Sequence, residues 1–340
     1  MTTLLAAVVA AAAITFPGVQ PHLAAFGDRV YLTFGQDNVI SVVASADAGQ
    51  TFGSPVRIVV AGRVALGMHR GPRIAATSRA VLVAVVAGAR GGGADGDLLL
   101  YRSTDNGVTW AKPIVINDVP AAAREGLHAL TATPAGVVVL SWLDLREKGT
   151  RIYTAVSRDH GVTWSADSLA YASPSGSVCE CCHPSVAIGH NASMALMFRN
   201  HLDGNRDMYV TRSADGVSYQ TAQKAGQGSW KLNACPMDGG GLVLREAEVI
   251  SAWRREDSIY LNTLGQAEKR VGTGRDPAIA SWGRHLDVVW SSPSGIVLMR
   301  DGGAPTPMGA GRFPAIVALD RRTVLAWEVG GSVTVVSVQR

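Results

Sequence analysis

The chain consists of short runs in which apolar and polar residues alternate, which is the pattern of half-buried β-strands. Seven segments that begin with, or directly follow, a Pro or His and continue with apolar residues recur at spacings of 37 to 56 residues. They are HLAAF from residue 22, PRIAAT from 72, HALTAT from 128, PSVAIG from 184, PMDGGGLVL from 236, PAIASW from 277 and PAIVAL from 314. Further apolar runs such as VVVLSW, RIYTAVS and PIVIND follow them, so the sequence predicts repeated units of four strands.

A second pattern marks the turn before the fourth strand of several units. Residues 45–52 read SADAGQTF, 103–110 read STDNGVTW, 157–164 read SRDHGVTW, and a shorter copy, SADGVSY, covers 213–219. Ser and Asp oxygens can accept hydrogen bonds from nearby backbone N–H groups, and Gly accepts the positive φ of a tight turn. The repeat therefore predicts the same closed turn four times, followed by an aromatic residue that packs between sheets.

This repeat resembles the Asp box of the BNR-repeat proteins, the sialidase-like β-propellers. The resemblance implies an all-β fold of four-stranded blades, and the unit spacing suits such blades. It also implies that the boxes lie on the face opposite the ligand site and take no part in chemistry.

The number of units predicts seven blades, with six, the usual number in true sialidases, as the alternative. The last unit, 314–340, has only three strands, whereas ITFPGVQ at 14–20 resembles a fourth strand without its first three. We therefore expect residues 14–340 to form a single propeller domain, in which the strand near 14–20 pairs with 332–339 and closes the ring.

Composition and charge narrow the possible partners. Charged residues make up 17% of the chain and hydrophobic residues 47%, as in a folded globular protein. The formal net charge is only +4 and no run of Lys or Arg occurs, so we expect no nucleic-acid partner. We expect a monomer whose ligand is a small molecule, a glycan or a metal ion.

The N-terminal residues 1–13 favour export. They form an apolar run that ends in small residues, as secretory signals do, although no Lys or Arg precedes it. The alternative is a buried first strand. We expect a periplasmic or secreted protein, and no other stretch is long and apolar enough to cross a membrane.

The four cysteines occupy two links between units. CECCH at 179–183 enters the fourth unit and CPMDGG at 235–240 enters the fifth, both on the face opposite the boxes, here called the top. Aligning Pro184 with Pro236 places His183 and Cys235 at equivalent positions one blade apart, so we expect the thiols to meet.

Two chemistries suit these residues. Thiolate, thioether and imidazole ligands select soft ions, so copper or zinc is the expected cofactor of a set formed by Cys179, Cys181, Cys182, His183, Cys235 and Met237. The alternative is disulfides, which exported cysteines form readily. A bond between Cys181 and Cys182 would be strained, which leaves a Cys182–Cys235 staple, a metal site, or one staple with remaining thiols.

Charged residues of the top loops over blades three to five, together with Arg70 and Arg73 from the link MHRGPR, complete the predicted site. We expect a ligand to contact residues among Arg70, Arg73, Asp144, Arg146, Arg199, Asp203, Arg206, Asp207, Asp238, Arg254 and Arg255.

The resemblance also implies an alternative function, a glycoside hydrolase of the exo-sialidase type. That family uses a Tyr nucleophile with a Glu partner, an acid/base Asp and three Arg that hold the sugar carboxylate. However, we expect Tyr101, Tyr153, Tyr209 and Tyr260 to share one register of the third strands, which favours packing, and the family's Phe-Arg-Ile-Pro motif is absent. A binding protein is therefore the preferred interpretation.

Overall fold

The computed structural model describes residues 13–189 and 191–340, which form seven antiparallel four-stranded blades of a β-propeller. The seven blades confirm the prediction, and six is wrong. Of the predicted signal segment 1–13, all but Ala13 lies outside the described residues. No helix in the described part of the chain is long and apolar enough to span a membrane.

The first four blades run from the axis outward in chain order. Blade one contains β2 (Val19–Phe26), β3 (Arg29–Gln36), β4 (Val39–Ser45) and β5 (Val56–Val59). Blade two contains β7 (Arg73–Ala76), β8 (Val81–Gly88), β9 (Asp97–Ser103) and β10 (Ile114–Val115), and β6 (Arg63–Val64) also pairs with β8. Blade three contains β11 (His128–Ala132), β12 (Val138–Asp144), β13 (Arg151–Ser157) and β14 (Ser168–Tyr171). Blade four contains β15 (Ser185–Ile188), β16 (Met194–Arg199), β17 (Met208–Ser213) and β18 (Gln223–Lys224).

The last three blades follow the same order, except that the final outer strand comes from the N-terminal side. Blade five contains β19 (Gly241–Arg245), β20 (Glu248–Arg255), β21 (Ser258–Thr263) and β22 (Lys269–Thr273). Blade six contains β23 (Arg275–Trp282), β24 (His285–Ser292), β25 (Gly295–Arg300) and β26 (Thr306–Gly309). Blade seven contains β27 (Arg312–Ala318), β28 (Arg322–Val329), β29 (Ser332–Gln339) and, outermost, β1 (Ile14–Pro17).

The inner strands form a closed ring. Each packs against the inner strand of the next blade, and β27 of blade seven packs against β2 of blade one. Because every blade is covered by a neighbour on both sides, its second strand is buried on both faces and reads as a nearly continuous apolar run, as in β8, β12 and β16.

The pairing of β1 with β29 closes the ring as predicted. Ile14 lies opposite Val335, and Pro17 lies opposite Ser332. Phe16 on β1 is buried and stacks on Phe34 of blade one, with ring centroids 5.6 Å apart. Strand β1 therefore completes blade seven through its backbone hydrogen bonds and packs on blade one through the side chain of Phe16.

The Asp boxes adopt the predicted turn. In the second box, Ser103 Oγ donates to Asp105 Oδ1 (2.7 Å) and accepts from the Gly107 N–H (2.8 Å), while Asp105 accepts from the Thr109 N–H (2.9 Å). The other three boxes repeat the Ser–Asp and Gly–Ser bonds.

Each box also packs against the preceding blade, which fixes its glycine. Gly161 of blade three has φ 80°, and a Cβ there would collide with Leu82 of blade two. The boxes therefore stabilise the contact between blades as well as their own turns.

We expect Asp105→Ala to lower the melting temperature at pH 7 and to make the melting temperature less sensitive to acid. Hydrogen bonds from Thr109 and Ser103 lower the pKa of Asp105 from 3.8 to about 2. The folded state thus binds the proton more weakly than the unfolded chain, so this stabilisation is complete above pH 3.8 and disappears as the pH falls through 2. Thermal unfolding at pH 7, 4 and 2 measures the difference, with Asp28→Ala, an exposed carboxylate, as control. A difference between wild type and Asp105→Ala that persisted unchanged at pH 2 would contradict this assignment.

Candidate metal centre

Three of the four cysteines meet in the link that enters blade four. The sulfur of Cys179 lies 3.5 Å from that of Cys181 and 3.6 Å from that of Cys182, and the last two sulfurs are 3.9 Å apart. All three residues are buried. This group, here called the sulfur triad, could hold one metal ion.

Backbone contacts fix the link that carries the sulfur triad. The N–H of Cys179 donates to the carbonyl of Arg199 at the end of β16 (3.0 Å), and the N–H of Val178 donates to Thr150 of blade three (3.0 Å). The link is thus tied to two blades directly before the first sulfur, so the triad is held at the boundary between them.

Arg206 covers the triad from the loop between β16 and β17. Its Nη1 donates to Cys179 Sγ at 3.4 Å, while its Nε is buried without a hydrogen-bond partner among the described residues. Hydrogen bonds between Cys179 and the thiols of Cys181 and Cys182 hold the pKa of Cys179 well below its usual value. Burial acts in the opposite direction, whereas the positive charges of Arg206 and Arg199 lower this pKa further.

The other two thiols are held in their neutral form. Hydrogen bonding with Cys179 raises the pKa of Cys181, and burial raises the pKa of Cys182. The triad therefore contains one favoured thiolate and two thiols, which would have to release protons to bind an ion as thiolates.

Of the three remaining predicted metal ligands, one contacts the sulfur triad and two lie outside it. Met237 packs against the sulfur triad. Cys235 is exposed and is not part of the group of ligand atoms within 4.8 Å of one another. His183 also lies outside that group; its Nε2 contacts the Gly240 carbonyl (3.1 Å), and its ring packs on His69.

The predicted equivalence of His183 and Cys235 is wrong by four residues. Ser185 and Gly241 are the first paired residues of their inner strands, so the equivalent of His183 is Gly239. A Cβ at Gly239 would collide with the His183 carbonyl, which shows how closely the two links approach. Extra residues in the second link place Cys235 farther upstream, and the expected meeting of all four thiols does not occur.

Most of the charged residues predicted to bind a ligand are engaged within the protein. Arg146 bonds Asp144 (2.8 Å) and Asp118 (2.9 Å), contacts Asp167, and lies over the Tyr153 ring. Arg255 likewise bonds Glu268 (2.5 Å) and lies over Tyr260. These pairs fasten the loops that carry them and leave little free hydrogen-bonding capacity for a ligand.

Two further predicted ligand contacts, Arg70 and Asp207, form similar pairs at the top. Arg70 pairs with Glu125, and Lys224 with Asp207. Asp203 is exposed at the tip of its hairpin.

Arg199 and Arg254 both lie against the Trp230 ring, at 5.4 and 5.1 Å from its centroid. Arg199 is 1% exposed and donates only to backbone carbonyls, those of Asp238, Arg206 and Arg254. Arg254 instead lies 4.0 Å from the Asp238 carboxylate, which also accepts from the Asp276 N–H.

A cavity of about 190 Å³ follows the axis beside this region. Residues directly before the prolines of the inner strands line it, including Gln20, His183, Asp276 and Phe313. His69 Nε2 lies 2.9 Å from Asp276 Oδ1, and the buried Arg73 donates to the Pro72 carbonyl (3.2 Å) and to that of His69 (2.5 Å). Burial lowers the pKa of Arg73 to about 10.

Asp276 and Trp230 were not among the predicted residues. The position of Asp276 before Pro277, which matches that of His183 before Pro184, was a usable signal. Trp230 follows the short strand β18 in a segment without repeat character, so no sequence pattern identified it.

Comparisons with known proteins agree with this fold. The model of the BNR repeat-like domain matches residues 80–227. An α-L-arabinanase of Penicillium chrysogenum is similar in structure, with a TM-score of 0.59, 15% identity and coverage of 96% of this chain and 98% of that one. A Hadza microbial sialidase has a TM-score of 0.59 and 15% identity, covering 95% of this chain and 66% of that one.

A protein of unknown function from Dyadobacter fermentans is similar over 99% of this chain and all of its own, with a TM-score of 0.58 and 15% identity. No curated protein matches the sequence. At these identities the structural likeness concerns the fold alone. The four Asp boxes, the BNR repeat-like domain matched over residues 80–227 and the seven-bladed ring together make this chain a β-propeller similar to the Asp-box, sialidase-like proteins.

Proposed function

We propose that this protein binds a soft metal ion, copper or zinc, through the thiolates of Cys179, Cys181 and Cys182. The observation that carries the proposal is the spacing of the three sulfurs, 3.5 to 3.9 Å. Ligands about 2.3 Å from one zinc ion in tetrahedral positions lie about 3.8 Å apart, so the triad needs little rearrangement to enclose an ion.

Burial and charge add support. Soft thiolate ligands select copper(I) and zinc over magnesium and calcium. Arg206 lies against the sulfur of Cys179 and favours the thiolate that a metal requires. The disulfide alternative has less support, because all four cysteines are free and the expected partner Cys235 is exposed.

We also propose that the protein is exported to the periplasm or secreted, on the basis of the apolar run at 1–13. In an oxidising compartment three thiols in contact would form a disulfide, and a bound ion would protect them from this oxidation. N-terminal sequencing of the mature protein tests export, and a chain that still begins at Met1 would contradict it.

We expect wild-type protein, reduced and loaded with copper(I) or zinc(II), to bind one equivalent of the ion. In that state a thiol reagent should modify one cysteine rapidly, the exposed Cys235, and the other three only after chelation or acid, because release of the ion needs protons. Cys181→Ser should lose metal binding, whereas Cys235→Ser should bind normally and lose only the fast thiol. Metal analysis and thiol counting on the same samples check this.

Equal metal binding by wild type and Cys181→Ser would overturn the proposal. In a separate sample of the protein as isolated, without prior reduction, thiols that appeared only after addition of a reductant, with no effect of chelators, would overturn the proposal in favour of the disulfide alternative.

The second candidate is a glycoside hydrolase, since the similar structures include a sialidase and an arabinanase. The tyrosines argue against a sialidase nucleophile. Tyr153, Tyr209 and Tyr260 face Trp142, Phe198 and Trp253 on the second strands and stack on them. Tyr101 faces Val83 instead, so the expectation of one register for all four is wrong, but it too lies within a blade.

We expect no turnover of a fluorogenic sialoside, because the arginines that could hold its carboxylate bond to protein groups. A continuous fluorescence assay at pH 5 and pH 7 measures this. Hydrolysis by wild type that is abolished in both Arg206→Ala and Arg254→Ala would make the hydrolase the better function.

A further inference from the structure

We propose that the sulfur triad is built for a monovalent ion, copper(I), held by three sulfurs, with Arg206 and Arg199 as its counter-charges. This inference rests on the proposed function and states which of the two metals the site favours.

The number of ligands is the first argument. Within the described residues, only three cysteine sulfurs are grouped within 4.8 Å, and no His, Asp or Glu joins them. Structural zinc sites take four ligands in a tetrahedron, with Cys, His or carboxylate donors. The soft side chain that packs on the triad is Met237, whose thioether suits copper(I) and is a poor zinc ligand.

Burial is the second argument. Cys179 is 0% exposed and Cys182 1%, so a water molecule has little access to supply a fourth ligand. A site that is closed to water and offers three sulfurs suits copper(I), which can be bound by three soft ligands without a fourth.

The net charge of the buried region is the third argument. Arg206 donates to Cys179, and no carboxylate lies within salt-bridge distance of its guanidinium in the described chain. Arg206 is partly buried, whereas Arg199 is fully buried, donates to carbonyls among the described residues, and accepts a hydrogen bond from the Cys179 N–H at its own carbonyl (3.0 Å). Its Nη1 bonds the Arg206 carbonyl at 2.7 Å, so the two arginines form one unit.

Neighbouring charges compensate one another, and neither Arg199 nor Arg206 forms a salt bridge with another described residue. Arg254 lies beside Asp238, and Lys224 pairs with Asp207. Three thiolates and two guanidinium groups leave one negative charge, which a monovalent ion cancels. A divalent ion would leave one uncompensated positive charge beside the buried sulfurs, which is costly without a partner.

The copper(I) and zinc(II) complexes of the triad differ in charge, so a test can compare how one arginine affects the affinity for each ion. Three thiolates around copper(I) carry a charge of −2, and around zinc(II) a charge of −1. A guanidinium stabilises the first complex more than the second. Arg206→Gln should therefore weaken copper(I) binding more than zinc(II) binding and lower the ratio of the two affinities by about tenfold.

The experiment is an anaerobic competition titration of reduced protein against a chromophoric copper(I) chelator and, separately, a zinc(II) chelator. Arg206→Lys keeps the positive charge and should keep the wild-type ratio of affinities. The control is Arg158→Gln, which removes an exposed arginine that donates to the Asp215 carbonyl in an Asp box and should leave the ratio unchanged. X-ray absorption at the copper edge of the wild-type complex should count three sulfur ligands, a readout that does not depend on the variants folding.

The outcomes separate the two proposals. An unchanged affinity ratio in a folded Arg206→Gln variant, or a copper spectrum with nitrogen or oxygen ligands, overturns the copper(I) assignment while metal binding stands. Failure of wild type to bind either ion overturns both.

Discussion

The structure depends on one constraint, that the seven inner strands must close a ring around the axis. Each blade buries its apolar faces only when a neighbour covers both sides, so an open ring would expose the faces of the first and last blades. The four residue pairs between β1 and β29 provide this closure. The side chain of Phe16 then packs into blade one, so the strand that completes the last blade also fixes the first.

The ring also determines where chemistry can occur. Turns between third and fourth strands all point to one face, and the Asp boxes there hold each turn and contact the preceding blade. The links between blades all cross the other face, where their lengths can vary. The sulfur triad, the Arg199–Trp230–Arg254 stack and the His69–Asp276 pair all lie in or beside these links and loops.

The sequence predicted the features that arise from local or repeated chemistry. Ser, Asp and Gly at fixed offsets make the same turn wherever they occur, so the four boxes could be read directly. The recurring inner-strand segments favoured seven blades and left six as the alternative. Cys179, Cys181 and Cys182 lie within four positions, so their meeting needed no knowledge of the fold.

Contacts between different links could not be predicted in the same way. Proline marks the start of several inner strands, but Pro236 stands five residues before Gly241 opens its strand, and the alignment that joined Cys235 to the other thiols failed there. The placement of Arg206 on Cys179 and of Trp230 between two arginines depends on how the hairpin after β16 folds back. That conformation follows from tertiary contacts and not from a local motif.

The compactness of the sulfur triad in the sequence has a consequence for the energetics of folding. Ligands that are distant in sequence converge only in the native state, so their ion stabilises the native state by its full binding free energy. Three cysteines within one link could gather around an ion even in an unfolded chain, which would reduce the net stabilisation from the metal ion that we propose. Arg199, Arg206 and Met237 reach the triad only in the finished propeller, so these residues, rather than the cysteines, would couple occupancy of the proposed metal site to the native fold.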